Sequence, residues 1–164
     1  MTYFLIIFVL MIIISPLMWL RQTPRQKLTI DMRKKATNLG MIVKLSATAD
    51  SRKEKKRLNC VTYKLKWHPE SVELSGLNIE DWTLIKSNKR GEISVWPGWR
   101  WLDGQPSHKI MKKIELVIKK LPISVSALQV RSDGLLVYWN EEGDAVDVNN
   151  IYESLLILRG TIRD

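Results

Sequence analysis

Residues 3–20 read YFLIIFVLMIIISPLMWL, a run without a charged side chain. As a helix rising about 1.5 Å per residue, it would cover roughly 27 Å, close to the hydrocarbon thickness of a bilayer. The run has no polar face, which disfavours a buried amphipathic helix. A cleaved signal peptide is disfavoured, because no basic segment precedes the run and no small-residue cleavage site follows it. The sequence therefore predicts a transmembrane anchor over residues 1–20.

Basic residues dominate the stretch that follows the apolar run. Against one acid, Asp31, it contains Arg21, Arg25, Lys27, Arg33, Lys34 and Lys35. By the positive-inside rule, this asymmetry predicts that the amino terminus lies outside and the carboxyl-terminal domain lies in the cytoplasm. The same six residues are candidates for contact with an anionic membrane surface. The alternative is that they only set the topology.

Residues 21–40 form the predicted juxtamembrane helix. Thr23 and Pro24 supply an N-cap and a first helical position, and Gly40 is a natural stop. Apolar residues recur between them at helical spacing. The remaining residues, 41–164, are predicted to form one cytoplasmic α+β domain, and all of the net charge of +9 lies beyond residue 20.

Alternating residues predict strands over 41–46 and 60–67, paired antiparallel across a basic loop. That loop is a candidate phosphate-binding segment, and a solvated hairpin tip is the alternative. Its cations are Arg52, Lys53, Lys55, Lys56 and Arg57.

The second half of the chain predicts two further strands, at 81–86 and 92–95, and an amphipathic helix over 107–121. An Asp133-Gly134 turn predicts a hairpin, and Asp147 is the expected cap of a final helix that Gly160 ends. The predicted fold class is therefore α+β. It comprises an N-terminal transmembrane helix and one small domain with a mainly antiparallel sheet and two to three helices.

Three tryptophans surround a Pro97-Gly98 pair, which is typical of a type II turn. One interpretation is a docking surface formed by Trp96, Trp99, Arg100 and Trp101. The alternative is core packing, because residues 21–164 contain no phenylalanine and these side chains can supply the missing bulk.

No motif in the chain predicts catalysis. The two histidines, His68 and His108, lie far apart, and the single Cys60 has no neighbouring ligands at metal-site spacing. Phosphate-binding loops, nucleophile elbows and metalloprotease motifs are missing from the sequence. We therefore expect no enzyme, no cofactor and no metal site.

Three segments resemble a group of single-pass inner-membrane proteins of gammaproteobacteria. They are SPLMWLRQTPRQK at 15–27, PGWRW at 97–101 and LLVYWNEEGDAVDVNNIYESL at 135–155. Members of that group are sometimes labelled preprotein translocase subunit YajC-like, although the glycine-rich segment that follows the anchor of YajC is missing here. The resemblance implies a bacterial inner-membrane location and implies no catalytic residues.

Two functional hypotheses follow. The first is a membrane-anchored, non-enzymatic accessory or scaffold protein of an inner-membrane assembly, whose partners are other inner-membrane proteins. The second is a membrane-apposed binder of anionic phosphates, either lipid headgroups or nucleic acid, with nucleic acid the less favoured of the two.

Overall fold

The computed structural model describes residues 2–19, 23–49, 60–67, 79–87 and 89–163. Within these ranges the helices are α1 (Thr2–Trp19), α2 (Pro24–Asn38), α3 (His108–Lys120) and α4 (Ala145–Arg163). The strands are β1 (Ile42–Ser46), β2 (Cys60–Leu65), β3 (Trp82–Lys86), β4 (Glu92–Ile93), β5 (Trp99–Asp103), β6 (Val125–Arg131) and β7 (Gly134–Trp139).

The strands form one antiparallel sheet in the order β1-β2-β7-β6-β3-β5-β4. Both predicted hairpins are confirmed: β1 pairs with β2, and β6 pairs with β7. The β6–β7 turn is Ser132-Asp133, and Gly134 is the first residue of β7. Strand β5 was not predicted. It lies between β3 and β4, so it places the tryptophan-rich segment next to the edge of the sheet.

Helices α2, α3 and α4 form a layer in which α4 contacts both of the others and packs against β7. Alternate strand residues such as Tyr63, Val137 and Leu128 are fully buried. They share one apolar core with Met32 of α2 and Ile151 of α4. Burial of this alternating apolar pattern is what holds the helices to the sheet.

The predicted membrane anchor requires correction. Among the described residues, no helix combines the length and the apolar character needed to cross a membrane. Helix α1 (Thr2–Trp19) does not meet that requirement. The transmembrane part of the predicted fold class is therefore wrong. The single-pass inner-membrane location, with the amino terminus outside and the domain in the cytoplasm, is corrected with it.

The start of α2 follows its sequence signals. Thr23 Oγ1 accepts from the backbone N–H of Gln26 at 3.3 Å, and the Gln26 side chain accepts from the N–H of Thr23 at 2.9 Å. This reciprocal arrangement is a capping box, with Pro24 in the first helical position. The predicted N-cap is therefore confirmed.

The start of α4 differs from the prediction by three residues. Asp144 is the N-cap, because its Oδ1 accepts from the N–H groups of Val146 at 2.7 Å and Asp147 at 3.3 Å. Asp147 lies at the third helical position and accepts from the N–H of Asp144 at 3.1 Å. Asp144 and Asp147 lie three residues apart, which is the spacing of a capping box, so residue type alone does not distinguish which of them is the N-cap. The hydrogen bonds identify Asp144.

Candidate functional site

The turn between β4 and β5 positions the tryptophans. Gly98 has φ of 79°, the left-handed conformation that glycine adopts without a Cβ clash. The Ser94 side chain bridges the turn, because its Oγ donates to the carbonyl of Trp99 at 2.8 Å. The backbone N–H of Trp96 donates to the same hydroxyl at 3.2 Å. Trp96 is thereby fixed beside the outermost pair of strands.

The indoles form a chain from the core to the surface. Trp101 lies between Trp82, with ring centroids 5.7 Å apart, and Trp96, at 5.9 Å, both in edge-to-face geometry. Trp99 and Trp101 are buried, whereas Trp96 is half-buried. Edge-to-face pairs stabilise by about 0.5–1.5 kcal/mol beyond simple burial, so Trp96 has a rigid base.

A groove lies between this turn and the C-terminal half of α3. Its volume is about 440 Å³, within the range of ligand-binding clefts. One wall comes from the turn and the other from α3; the lining residues are Val95, Trp96, Pro97, Trp99, Glu115, Ile118 and Lys119. We call this the tryptophan groove. On its α3 wall, Lys119 Nζ and Glu115 Oε1 form an ion pair at 2.7 Å.

Apolar side chains are exposed on the groove and in the segments next to it. Val95 is 78% exposed in the turn, and Ile123 after α3 is 89% exposed. Ile93 on β4 is also exposed, but it pairs with Arg100 and lies on the other face of the sheet. Lys86, which lies opposite Trp99 in the sheet, donates to the carbonyl of Ile123 at 2.8 Å. That bond holds Ile123 at the same end of the sheet as the turn. Single exposed apolar residues are ordinary, but two of them beside an apolar groove are consistent with an interaction site.

The predicted docking residues therefore have different environments. Trp99 and Trp101 are mainly core residues, and Trp96 presents the accessible indole. Arg100 points to the other face of the sheet, where its Nη1 donates to the carbonyl of Gly91 at 3.1 Å. Val95 and Ile118 belong to the groove but were not among the predicted residues. The signal available in the sequence was an apolar valine directly before Trp96 and the Pro97-Gly98 pair.

Three of the predicted membrane-contact cations lie against the loop between β7 and α4. Arg25 donates to the carbonyls of Glu141 and Gly143, the latter at 3.3 Å. Lys35 Nζ donates to the carbonyl of Ala145 at 2.8 Å. Arg33 binds the Glu141 carboxylate through Nε at 2.8 Å and Nη2 at 2.6 Å.

The other predicted cations have different surroundings. Lys27 and Lys34 are exposed on α2. Arg21 and the run with Arg52, Lys53, Lys55, Lys56 and Arg57 lie outside the described residues, so their predicted membrane and phosphate contacts stay predictions.

Glu141 is the centre of a network that the sequence did not reveal. Its side chain is buried, its backbone φ is 59°, and its Oε1 also accepts from the Tyr63 hydroxyl at 2.8 Å. The hydrogen bond from Arg33 to Glu141 raises the pKa of Arg33. Burial, together with the adjacent Glu141 carboxylate, raises the pKa of Tyr63. We call Arg33, Tyr63 and Glu141 the carboxylate clamp, because they tie α2 to β2 and to the loop before α4.

Among the described residues, side chains that could bind a metal or act as a nucleophile do not cluster. Within the described ranges, no three His, Cys, Asp or Glu side chains come together in a way that could hold a metal ion. Cys60 is buried, and burial raises the pKa of its thiol, which disfavours the nucleophilic thiolate. His108 is exposed at the start of α3.

Comparison with known proteins gives no relative: no family model matches the chain, and neither a curated protein nor a solved structure matches it.

Proposed function

We propose that this chain is a non-enzymatic accessory or scaffold protein that docks a partner protein at the tryptophan groove. The observation that supports the proposal is the groove itself. It combines an apolar lining, a rigid indole base and exposed apolar side chains at one end of the sheet. Partner-binding surfaces characteristically place a fixed aromatic residue in such a setting.

The experiment compares three forms of the full chain, each expressed at native level with an affinity tag: the natural chain, Val95→Asp and Leu45→Asp. Val95 lines the groove, whereas Leu45 is 58% exposed on β1 at the opposite edge of the sheet. Both substitutions place a charge on an exposed apolar position, so they are matched in chemistry. Thermal unfolding of each purified form establishes that the fold is intact.

We expect quantitative mass spectrometry after chemical cross-linking to find one or more proteins that Val95→Asp loses and Leu45→Asp retains. The cross-links should include Lys119, the amine that lines the groove. Equal recovery from all three forms would contradict the proposal, as would cross-links confined to other surfaces.

The phosphate-binding alternative has less support. Arg25, Arg33 and Lys35 contact the protein's own loop, and the basic run over 52–57 lies outside the described residues. No described contact therefore favours a phosphate ligand over a partner at the groove.

A further inference from the structure

The outer side of β1 is one of the two edges of the sheet. In the strand order β1-β2-β7-β6-β3-β5-β4, β1 pairs only with β2, and β4 pairs only with β5. Strand β4 has two residues, whereas β1 has five. Among the described strands, β1 therefore forms the edge that is long enough to receive another strand.

The hydrogen-bond directions along β2 identify the backbone groups that β1 presents outward. The Leu65 carbonyl points toward β7, since a Cβ built on Gly134 would lie 2.5 Å from its oxygen. In an antiparallel ladder, the N–H and C=O of one residue point to the same neighbouring strand, and successive residues alternate. Three residues before Leu65, Thr62 therefore points toward β1. Its Oγ1 donates to the carbonyl of the residue opposite it, Lys44, at 3.1 Å.

The residues on either side of Lys44 present their backbone groups to the outside. Because Lys44 directs its N–H and C=O toward β2, its neighbours Val43 and Leu45 direct theirs away from the sheet. Among the described residues, none forms a backbone hydrogen bond with Val43 or Leu45 across this edge. The edge thus offers the N–H and C=O groups of two residues, with which an added strand can pair.

The side chains of β1 add a chemical pattern to this edge. Leu45 is 58% exposed and Val43 is half-buried; they pair with the buried Val61 and Tyr63, so they lie on the face that carries the helices. Lys44 is exposed on the other face and forms no ion pair with a described acid. An added strand would place two side chains beside Val43 and Leu45 and one beside Lys44.

We propose that the outer edge of β1 binds an extended segment of a partner protein in which an Asp or Glu lies between two apolar residues. The backbone of that segment pairs with Val43 and Leu45, its apolar side chains lie beside theirs, and its acid lies beside Lys44. This site is separate from the tryptophan groove, which lies between β4 and β5 at the other edge of the sheet. The proposal therefore does not depend on docking at the groove.

The same edge of a second copy fits less well. An antiparallel pair that satisfied all the outward groups would place Val43 opposite Leu45 of the other copy, and Lys44 opposite its own equivalent. Like charges directly opposite each other destabilise a strand pair, whereas opposite charges stabilise it. The charge on Lys44 thus selects an acidic strand over a second β1.

The test uses random dodecapeptides displayed on phage and selected against the full chain in mild detergent. The counter-selection uses Leu45→Pro, which deletes an outward N–H and leaves the hydrogen bonds between β1 and β2 in place. We expect enriched peptides to carry an acid between two β-branched or aromatic residues. A synthetic copy of an enriched peptide should slow hydrogen exchange of the Val43 and Leu45 amides when it binds.

Three variants separate the contributions to binding of the synthetic peptide. Leu45→Pro should weaken binding by about tenfold, and Leu45→Ala, which keeps the N–H, by about threefold. Lys44→Glu should weaken it by about fivefold, and a peptide whose acid is replaced by lysine should regain affinity for that variant. The matched controls, Lys34→Glu on α2 and Val95→Asp in the groove, should leave affinity within about twofold. Thermal unfolding establishes that each variant is folded, and Lys44→Glu serves for the counter-selection if Leu45→Pro is not.

The contrary outcomes are distinct. Enriched peptides without an acid, or equal affinity for the natural chain and for Lys44→Glu, would overturn the acidic partner strand. Binding that leaves exchange of the Val43 and Leu45 amides unchanged would overturn the β1 edge as the site. Binding that Val95→Asp abolishes and the β1 variants retain would assign the peptide to the tryptophan groove instead. Dimerisation of the natural chain that Leu45→Pro abolishes would overturn the partner strand in favour of a second copy.

Discussion

Replacing Glu141 with alanine tests the carboxylate clamp. The carboxylate accepts two hydrogen bonds from Arg33 and one from Tyr63, and only 8% of its side chain is exposed. Alanine removes all three acceptor contacts. It keeps a Cβ at the same positive φ, so backbone strain is comparable in both forms. The change in stability therefore measures the network and not the turn conformation.

The expected cost follows from the two donors left behind. The Tyr63 hydroxyl is buried and loses its partner, which costs about 1–3 kcal/mol. The Arg33 side chain is 45% exposed and can rehydrate, so its loss is discounted to about 0–1 kcal/mol. Glu141→Ala should therefore lower the free energy of unfolding by about 1–4 kcal/mol.

Denaturant titration of the full chain gives this quantity, with every form held in the same mild detergent to cover the exposed apolar side chains of α1. Glu142→Ala is the control: Glu142 is exposed in the same loop, and its substitution should change stability by less than about 0.5 kcal/mol. A double-mutant cycle with Tyr63→Phe should show a coupling of about 1 kcal/mol or more. If Glu141→Ala were as stable as Glu142→Ala, or the coupling were zero, the clamp would not stabilise the fold.

Three further results are expected. In denaturant titration, Gly91→Ala should destabilise the fold by about 1 kcal/mol or more beyond Gly98→Ala. Both glycines have positive φ, but a Cβ at Gly91 would lie 2.4 Å from the Trp101 carbonyl oxygen, whereas a Cβ at Gly98 would meet open space. Equal losses of stability would contradict the close approach at Gly91. The stability that Tyr63 contributes should be complete below the unfolded tyrosine pKa of about 10. It should be lost as pH rises above that value, because the pKa of Tyr63 is raised in the folded state. Tyr63→Phe should make the alkaline fall in stability less steep, and an unchanged slope would refute the assignment. Cys60 should react with a thiol reagent only after the chain unfolds in denaturant, because its side chain is buried and the pKa of its thiol is raised. Rapid labelling of the folded chain would contradict the burial of Cys60.

Local pattern predicted most of the sheet, because alternation and turn chemistry act over a few residues. The β1–β2 and β6–β7 hairpins follow from alternating apolar residues and from the Asp133-Gly134 pair. Strand β5 was missed because its five residues are rich in tryptophan and adjoin a Pro-Gly turn. Residue type suggested a surface feature there, whereas pairing with both β3 and β4 makes it an interior strand of the sheet.

The apolar run at the amino terminus shows the opposite error. Hydropathy over 3–20 predicts a membrane span, but among the described residues no helix is long and apolar enough to cross a membrane. Hydropathy measures how unfavourable water is for a segment and does not state what covers it. Side chains 2–14 of α1 are exposed in the isolated chain.

Charge shows most clearly why the site could not be predicted completely. In sequence, the basic residues of α2 and those of α3 look alike, and both contribute to the net charge of +9. In the fold, Arg25, Arg33 and Lys35 contact a loop more than 100 positions away in the chain, and such long-range pairs leave no local pattern. Lys109, Lys112 and Lys113 have no described acidic partner. The cations of α2 and α3 therefore differ in their contacts because of tertiary structure, which residue type and spacing along the chain do not encode.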